Sequence, residues 1–144
     1  MSVKIKISFT EINRRLEAAT LPDVDSVIGI ATGGIVPATM VAHQLEKPLA
    51  LLHINFRSDD NSPRFDEPVL LAKAPTLSDP SHLLLVDDVS VTGQTLALAK
   101  RLLCGHDITT LVLKGEGDIV LFPEIRACVH WPWLSGSQSR SGFE

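Results

Sequence analysis

The chain has little that would suit a membrane, nucleic acid or an oxidising compartment. Its two cysteines, Cys104 and Cys128, lack CxxC spacing and have no zinc-type histidine cluster nearby. That pattern argues against a metal or redox pair and predicts a reduced, cytoplasmic protein. The formal net charge is -4, so no general attraction to nucleic acid or to an anionic membrane is expected, and any anion must be held by local geometry. The opening residues MSVKIKISFTEINRR contain no apolar core of signal-peptide length, and no later run is long enough to span a bilayer. There is no GxxxxGK followed by Ser or Thr, no internal repeat and no coiled-coil heptad. What is present is 144 residues with 44% hydrophobic content, enough for one domain with a real core.

Two aliphatic runs organise that chain. Residues 83–86, LLLV, are apolar on both faces, which suits a central parallel strand covered by helices above and below. The run passes into Asp87 and Asp88, which point to opposite sides if the extended geometry persists. A turn then follows, Ser90, Val91, Thr92, Gly93, Gln94 and Thr95, ahead of a helix predicted over 96–103. Backbone N–H groups and hydroxyls at a helix start favour phosphate, whereas neighbouring carboxylates repel it unless they meet sugar hydroxyls or a metal ion. A phosphorylated sugar satisfies both halves.

The second run, over 26–31 (SVIGIA), leads into Thr32, Gly33 and Gly34 and then a helix over 36–45 that tolerates Pro37 in its first turn. Glycine lets backbone donors approach an anion closely. Strand, glycine turn and helix make half of a nucleotide-binding βαβ unit. Elsewhere an edge strand is expected over 3–7, and a helix over 9–19 behind a Ser8–Glu11 capping box. Further strands are expected over 49–56, 68–73, 108–113 and 127–130, with KGEGD at 114–118 as a loop. Residues 57–80 read as a flap and 135–144 as a frayed tail. The fold class is α/β, with a mostly parallel central sheet of about five strands flanked by helices.

An aliphatic strand, two acids, three variable positions, Thr-Gly, one variable position and Thr resembles the signature of the type I phosphoribosyltransferases. The order of ISFTEINRRL, IGIATGGIVPATMVAHQL, LLAKAP, LVLKGEGD and HWPW is most similar to the small bacterial xanthine-guanine members. The resemblance implies a type I phosphoribosyltransferase-like domain over 1–134. Such an enzyme takes phosphoribosyl pyrophosphate (PRPP) and a nucleobase, here a 6-oxopurine, to a nucleoside 5-monophosphate and pyrophosphate. It further implies that Asp87 and Asp88 hold the ribose diol as the catalytic acids. Ser90, Val91, Thr92, Gly93, Gln94 and Thr95 would hold the 5-phosphate. Ala31, Thr32, Gly33 and Gly34, with Lys73 from the flap, would hold the pyrophosphate, and a non-proline cis peptide is expected between Ala31 and Thr32. Lys114 would bond the 6-oxo group, with Val129 and Trp131 near the base. Mg2+ is expected with PRPP, held by substrate oxygens and water near Asp87 and not by direct side-chain ligands. A homodimer or higher homo-oligomer is expected by analogy.

This chain departs from the family pattern at three places, one of them the aromatic that stacks on the base, whose position falls near Cys128 or Val129 if the final Pro-Trp is aligned. Val91 stands where 6-oxopurine members carry an acid that exchanges a proton with the purine, and Thr32 where the xanthine-guanine enzymes carry arginine. These last two departures favour an alternative, a PRPP- or nucleotide-binding regulatory module with the same fold and no transfer. LLLVDD is also similar to the acidic start of response-regulator receivers, but a receiver places that strand at its N-terminus and ends a later strand on an Asp. The later strands here end near Lys114 and Trp131.

Overall fold

Runs that are apolar on both faces have to be covered on both sides, and that requirement places the two aliphatic strands in the middle of the sheet. The computed structural model describes residues 4–55, 69–70 and 81–134. In chain order the elements are β1 (Ile5–Lys6), α1 (Phe9–Ala18), β2 (Ser26–Ala31), α2 (Ile35–Leu45), β3 (Leu49–Asn55), β4 (Val69–Leu70), β5 (His82–Ser90), α3 (Gln94–Leu102), β6 (Asp107–Gly115), β7 (Ile119–Val120) and β8 (Val129–His130). The main sheet runs β4-β3-β2-β5-β6-β7, parallel throughout except for the antiparallel β3–β4 pair. The α/β class expected from the sequence is the one observed. Among the described residues no helix is long and apolar enough to cross a membrane.

Side chains alternate across the sheet. Leu84 and Val86 pack with Val27, Ile12, Leu16 and Val41 on the side of α1 and α2. Leu83 and Leu85 pack with Ile28, Leu52, Leu96 and Ala99 on the side of α3. Continued along β5, the same alternation assigns Asp88 to the α1–α2 side and Asp87 to the α3 side.

Several expectations are corrected. The acid strand does not stop at Asp87 and Asp88: it continues to Ser90, because β6 runs beside it and pairs Val89 with Lys114 and Ser90 with Gly115. Lys114 and Gly115 are accordingly strand residues, not the start of a loop. Helix α3 begins at Gln94, two residues earlier than its apolar pattern suggests. Among the described residues the main sheet has six strands, not about five, since β7 adds an edge. The strand expected over 127–130 shortens to β8, leaves the main sheet and pairs in parallel with β1. The capping box is half made. Ser8 Oγ accepts the Glu11 N–H at 3.1 Å, but the Glu11 carboxylate turns to Arg14 and Arg15 instead of the Ser8 N–H. Most of the flap, Lys73 included, and the tail lie outside the described residues.

Arg15 fastens α1 to the segment after β7. It donates to the Leu121 carbonyl at 2.7 Å, pairs with Glu124, and lays its guanidinium 4.4 Å from the Phe122 ring centroid.

Candidate functional site

Strands β2, β5 and β6 are parallel neighbours, so the segments leaving their C-terminal ends meet at one edge of the sheet, where open α/β sheets bind ligands. The turn after β2 rests directly on the acid pair. A Cβ at Gly33 would lie 2.6 Å from both Asp88 carboxylate oxygens, and one at Gly34 would lie 2.5 Å from the Ile30 carbonyl oxygen. Only glycine fits between turn and acid at position 33 without displacing one of them. The Gly34 N–H donates to the Ile30 carbonyl at 2.7 Å, and the Ala31–Thr32 peptide is cis, as the resemblance implied. Thr32 is exposed at the rim.

Both acids are buried, Asp87 at 3% exposure and Asp88 at 0%. The Asp88 N–H donates to Asp87 Oδ1 at 2.8 Å, and the Val89 N–H donates to Asp88 Oδ1 at 2.7 Å. Burial pushes the Asp87 carboxyl up from 3.8 to about 7, partly offset by hydrogen bonding from Asp88. A carboxyl poised near neutrality can either accept from a hydroxyl or donate to it. Buried acids at the mouth of a sheet are costly, and such perturbed groups cluster where a ligand is handled.

The turn after β5 leaves its polar residues outward. Ser90 is buried, but Thr92 and Gln94 are exposed and Val91 is 64% exposed. Gly93, at φ 80°, caps α3 without a side-chain acceptor, and the Gln94 N–H makes a long 3.3 Å bond to Thr92 Oγ1. A helix start of this kind, with Thr95 half-buried behind it, is open to an anion.

Of the third segment, the sequence pointed to Lys114 but not to Gly115 or Glu116. Lys114 is half-buried at the end of β6. Gly115, at φ 105°, is so close to β5 that a Cβ would fall 1.9 Å from the Ser90 carbonyl oxygen, and the Glu116 N–H donates to that same oxygen at 3.0 Å. Asp118 locks the far side of the segment. Its Oδ2 accepts from the Thr110 N–H at 2.9 Å and from Thr110 Oγ1 at 3.1 Å, while its own N–H donates to Thr110 Oγ1 at 2.8 Å.

Val129 and Trp131 are placed differently. Val129 is buried in β8 opposite Ile5. Trp131 is 2% exposed, packs with Phe122 at 6.3 Å and stacks on Trp133 at 5.5 Å between ring centroids. Neither side chain is presented to solvent.

Among the described residues no group of three or more His, Cys, Asp or Glu side chains converges on a point. The hard oxygens of Asp87 and Asp88 suit a hydrated divalent ion that takes most of its ligands from water and substrate.

A family model described as a phosphoribosyl transferase domain matches residues 5–129. The orotate phosphoribosyltransferase of Sulfurisphaera tokodaii is 29% identical over 105 residues, 71% of this chain and 49% of that protein. The bifunctional protein PyrR of Pseudomonas aeruginosa is 37% identical over 75 residues, 50% of this chain and 44% of its own. The chain thus spans about half the length of these curated relatives. Among solved structures, a purine phosphoribosyltransferase from Pyrococcus horikoshii superposes with a TM-score of 0.73 at 23% identity, covering 90% of this chain and 93% of that one. The xanthine-guanine-hypoxanthine phosphoribosyltransferase of Helicobacter pylori does so at 0.66 and 12%, covering 91% and 93%. At these identities the likeness is one of fold.

Proposed function

The chain belongs to the phosphoribosyl transferase family, and on that footing we propose that it transfers the ribose 5-phosphate of PRPP to a nucleobase with release of pyrophosphate. The observation that carries this reading is the contact between Gly33 and Asp88: the turn suited to a diphosphate lies against an acid suited to a ribose hydroxyl. In PRPP those two groups are joined through C1, so a site for one has to adjoin a site for the other.

Asp87 and Asp88 orient the 2- and 3-hydroxyls. The segment 90–95 holds the 5-phosphate, and 31–34 holds the diphosphate through backbone donors. The C1–O bond breaks with its electron pair departing on the diphosphate, and a ring nitrogen of the base bonds to the cationic C1. Mg2+ bound with PRPP would supply charge neutralisation on the leaving group. Lys114, a donor with no acceptor capacity, favours a keto oxygen over an exocyclic amine, which supports a 6-oxopurine as the base.

The test is a panel of purified protein, PRPP, Mg2+ and each common nucleobase, with orotate included because one relative bears that name. Pyrophosphate and nucleotide are the readouts. A 6-oxopurine is expected to yield nucleotide, and Asp88→Asn to lower turnover by roughly 10²-fold or more with an unchanged circular dichroism spectrum. The rival reading is a PRPP-binding regulatory module without transfer, favoured by the exposed, apolar Val91. Calorimetric PRPP binding with no turnover on any base would establish the rival and sink the transferase.

A further inference from the structure

A nucleobase that attacks through a ring N–H has to lose a proton, and the acceptor must be a base within reach. Around the three converging segments the described carboxylates are Asp87, Asp88, Glu116 and Asp118. Asp87 and Asp88 are buried in β5, and the proposed reaction commits them to the ribose diol. Asp118 has its carboxylate engaged by Thr110. Lys114 can donate but, while charged, cannot accept. Glu116 is left.

Its position is well defined. The Glu116 N–H is bonded to the Ser90 carbonyl, and Gly115 before it abuts the same group so closely that no side chain fits. Two residues later, the Asp118–Thr110 lock prevents the segment from swinging away. A backbone held at both ends thus presents an exposed residue beside the turn that begins at Ser90, two residues after Lys114 and bonded through its N–H to the residue before Val91, which has no acid to offer. Among the described residues Glu116 enters no salt bridge.

We propose that Glu116 accepts the proton of the attacking base nitrogen, an assignment that rests on the transferase reading above. As the N–C1 bond forms and the C1–O bond to the diphosphate breaks, the electron pair leaves on the diphosphate and the N–H proton passes to the Glu116 carboxylate. From there it goes to solvent, which the exposed side chain reaches directly. The titratable groups on the two elements packed at this point are Lys114 and Asp118 on its own segment and Asp87 and Asp88 on β5.

The experiment compares the pH profile of kcat/KM for the base in wild type and Glu116→Gln, with PRPP affinity measured by calorimetry. Glu116→Gln is expected to lose about 10²-fold in kcat/KM and to change the acidic limb of the profile, leaving there only the ionisation of Asp87, while PRPP affinity stays within about twofold. Adding Val91→Asp, an acid one residue beyond Ser90, is expected to restore at least about tenfold of that loss. A Glu116→Gln enzyme with wild-type kcat/KM and an intact acidic limb would overturn the assignment while leaving the transferase reading standing. Wild-type protein that binds PRPP but forms no nucleotide with any base would overturn both.

Discussion

The two ends of the central strands are both polar, yet they use polarity in opposite ways. At the N-terminal rim the groups are spent on one another. The His82 N–H donates to Asp25 Oδ2 and the Asp25 N–H to the His82 carbonyl, both at 2.8 Å. The Asp107 N–H donates to the Ser81 carbonyl at 3.0 Å, the Ser81 N–H to His106 Nδ1 at 3.0 Å, and the His82 ring meets Thr109 Oγ1 at 2.9 Å. At the C-terminal rim, strands are brought together by glycine against backbone or carboxylate, and threonines and glutamine face outward. Polarity alone does not mark a binding edge. What marks it is polar groups held in place by backbone contacts and left facing solvent.

Substitutions can break that contrast, and the largest effect is expected from Gly115→Ala. Its methyl would meet the Ser90 carbonyl oxygen at 1.9 Å from a backbone already at φ 105°. A loss of about 2–4 kcal/mol is expected, with turnover abolished. A variant with the wild-type melting curve would show that this rim is not close-packed.

Asp87→Asn comes next and runs in the opposite direction. Asp87 holds its proton more tightly when folded, with its pKa raised from 3.8 to about 7. Wild-type stability therefore falls as pH rises through that window and levels off above it. The neutral amide removes this dependence and is expected to raise stability at pH 8 while suppressing turnover. Denaturant midpoints at pH 5 and pH 8 measure both effects. A fall in stability at pH 8 would refute the assigned burial cost.

The smallest effect is expected at the other rim. Asp25→Ala removes the acceptor for the His82 N–H and should cost about 1 kcal/mol with kcat/KM unchanged. Loss of activity without loss of stability there would erase the distinction between the two ends.

Much of this architecture was legible because it rests on local pattern. The run SVIGIA is β2 to the residue, and α2 differs from expectation by one position, since an apolar run followed by glycines leaves few alternatives. The acid pair and the turn that leads from it into α3 were legible for the same reason. Gly115 and Glu116 were not, because their significance comes from the parallel register that sets Gly115 opposite Ser90, and no spacing within KGEGD encodes it. The two-residue strand β7 carries too little periodicity to read, and β8 was read as twice its length. The fate of Trp131 depended on packing with Phe122 and Trp133, partners brought together only by the folded chain.

The clasp made by Arg15 bears on the order in which a nascent chain acquires its parts. Its bond to the Leu121 carbonyl joins residues 106 positions apart, and β1 takes its partner from β8. A chain emerging from the ribosome therefore has β2, β5, α3 and the turns after β2 and β5 in hand before the first helix gains its clasp. Contacts of such long separation form late. The N-terminal helix is therefore secured in two stages: Ile12 and Leu16 can pack with Val27, Val41 and Leu84 as soon as those residues are made, and the Arg15 clasp is added only when Leu121 and Glu124 follow.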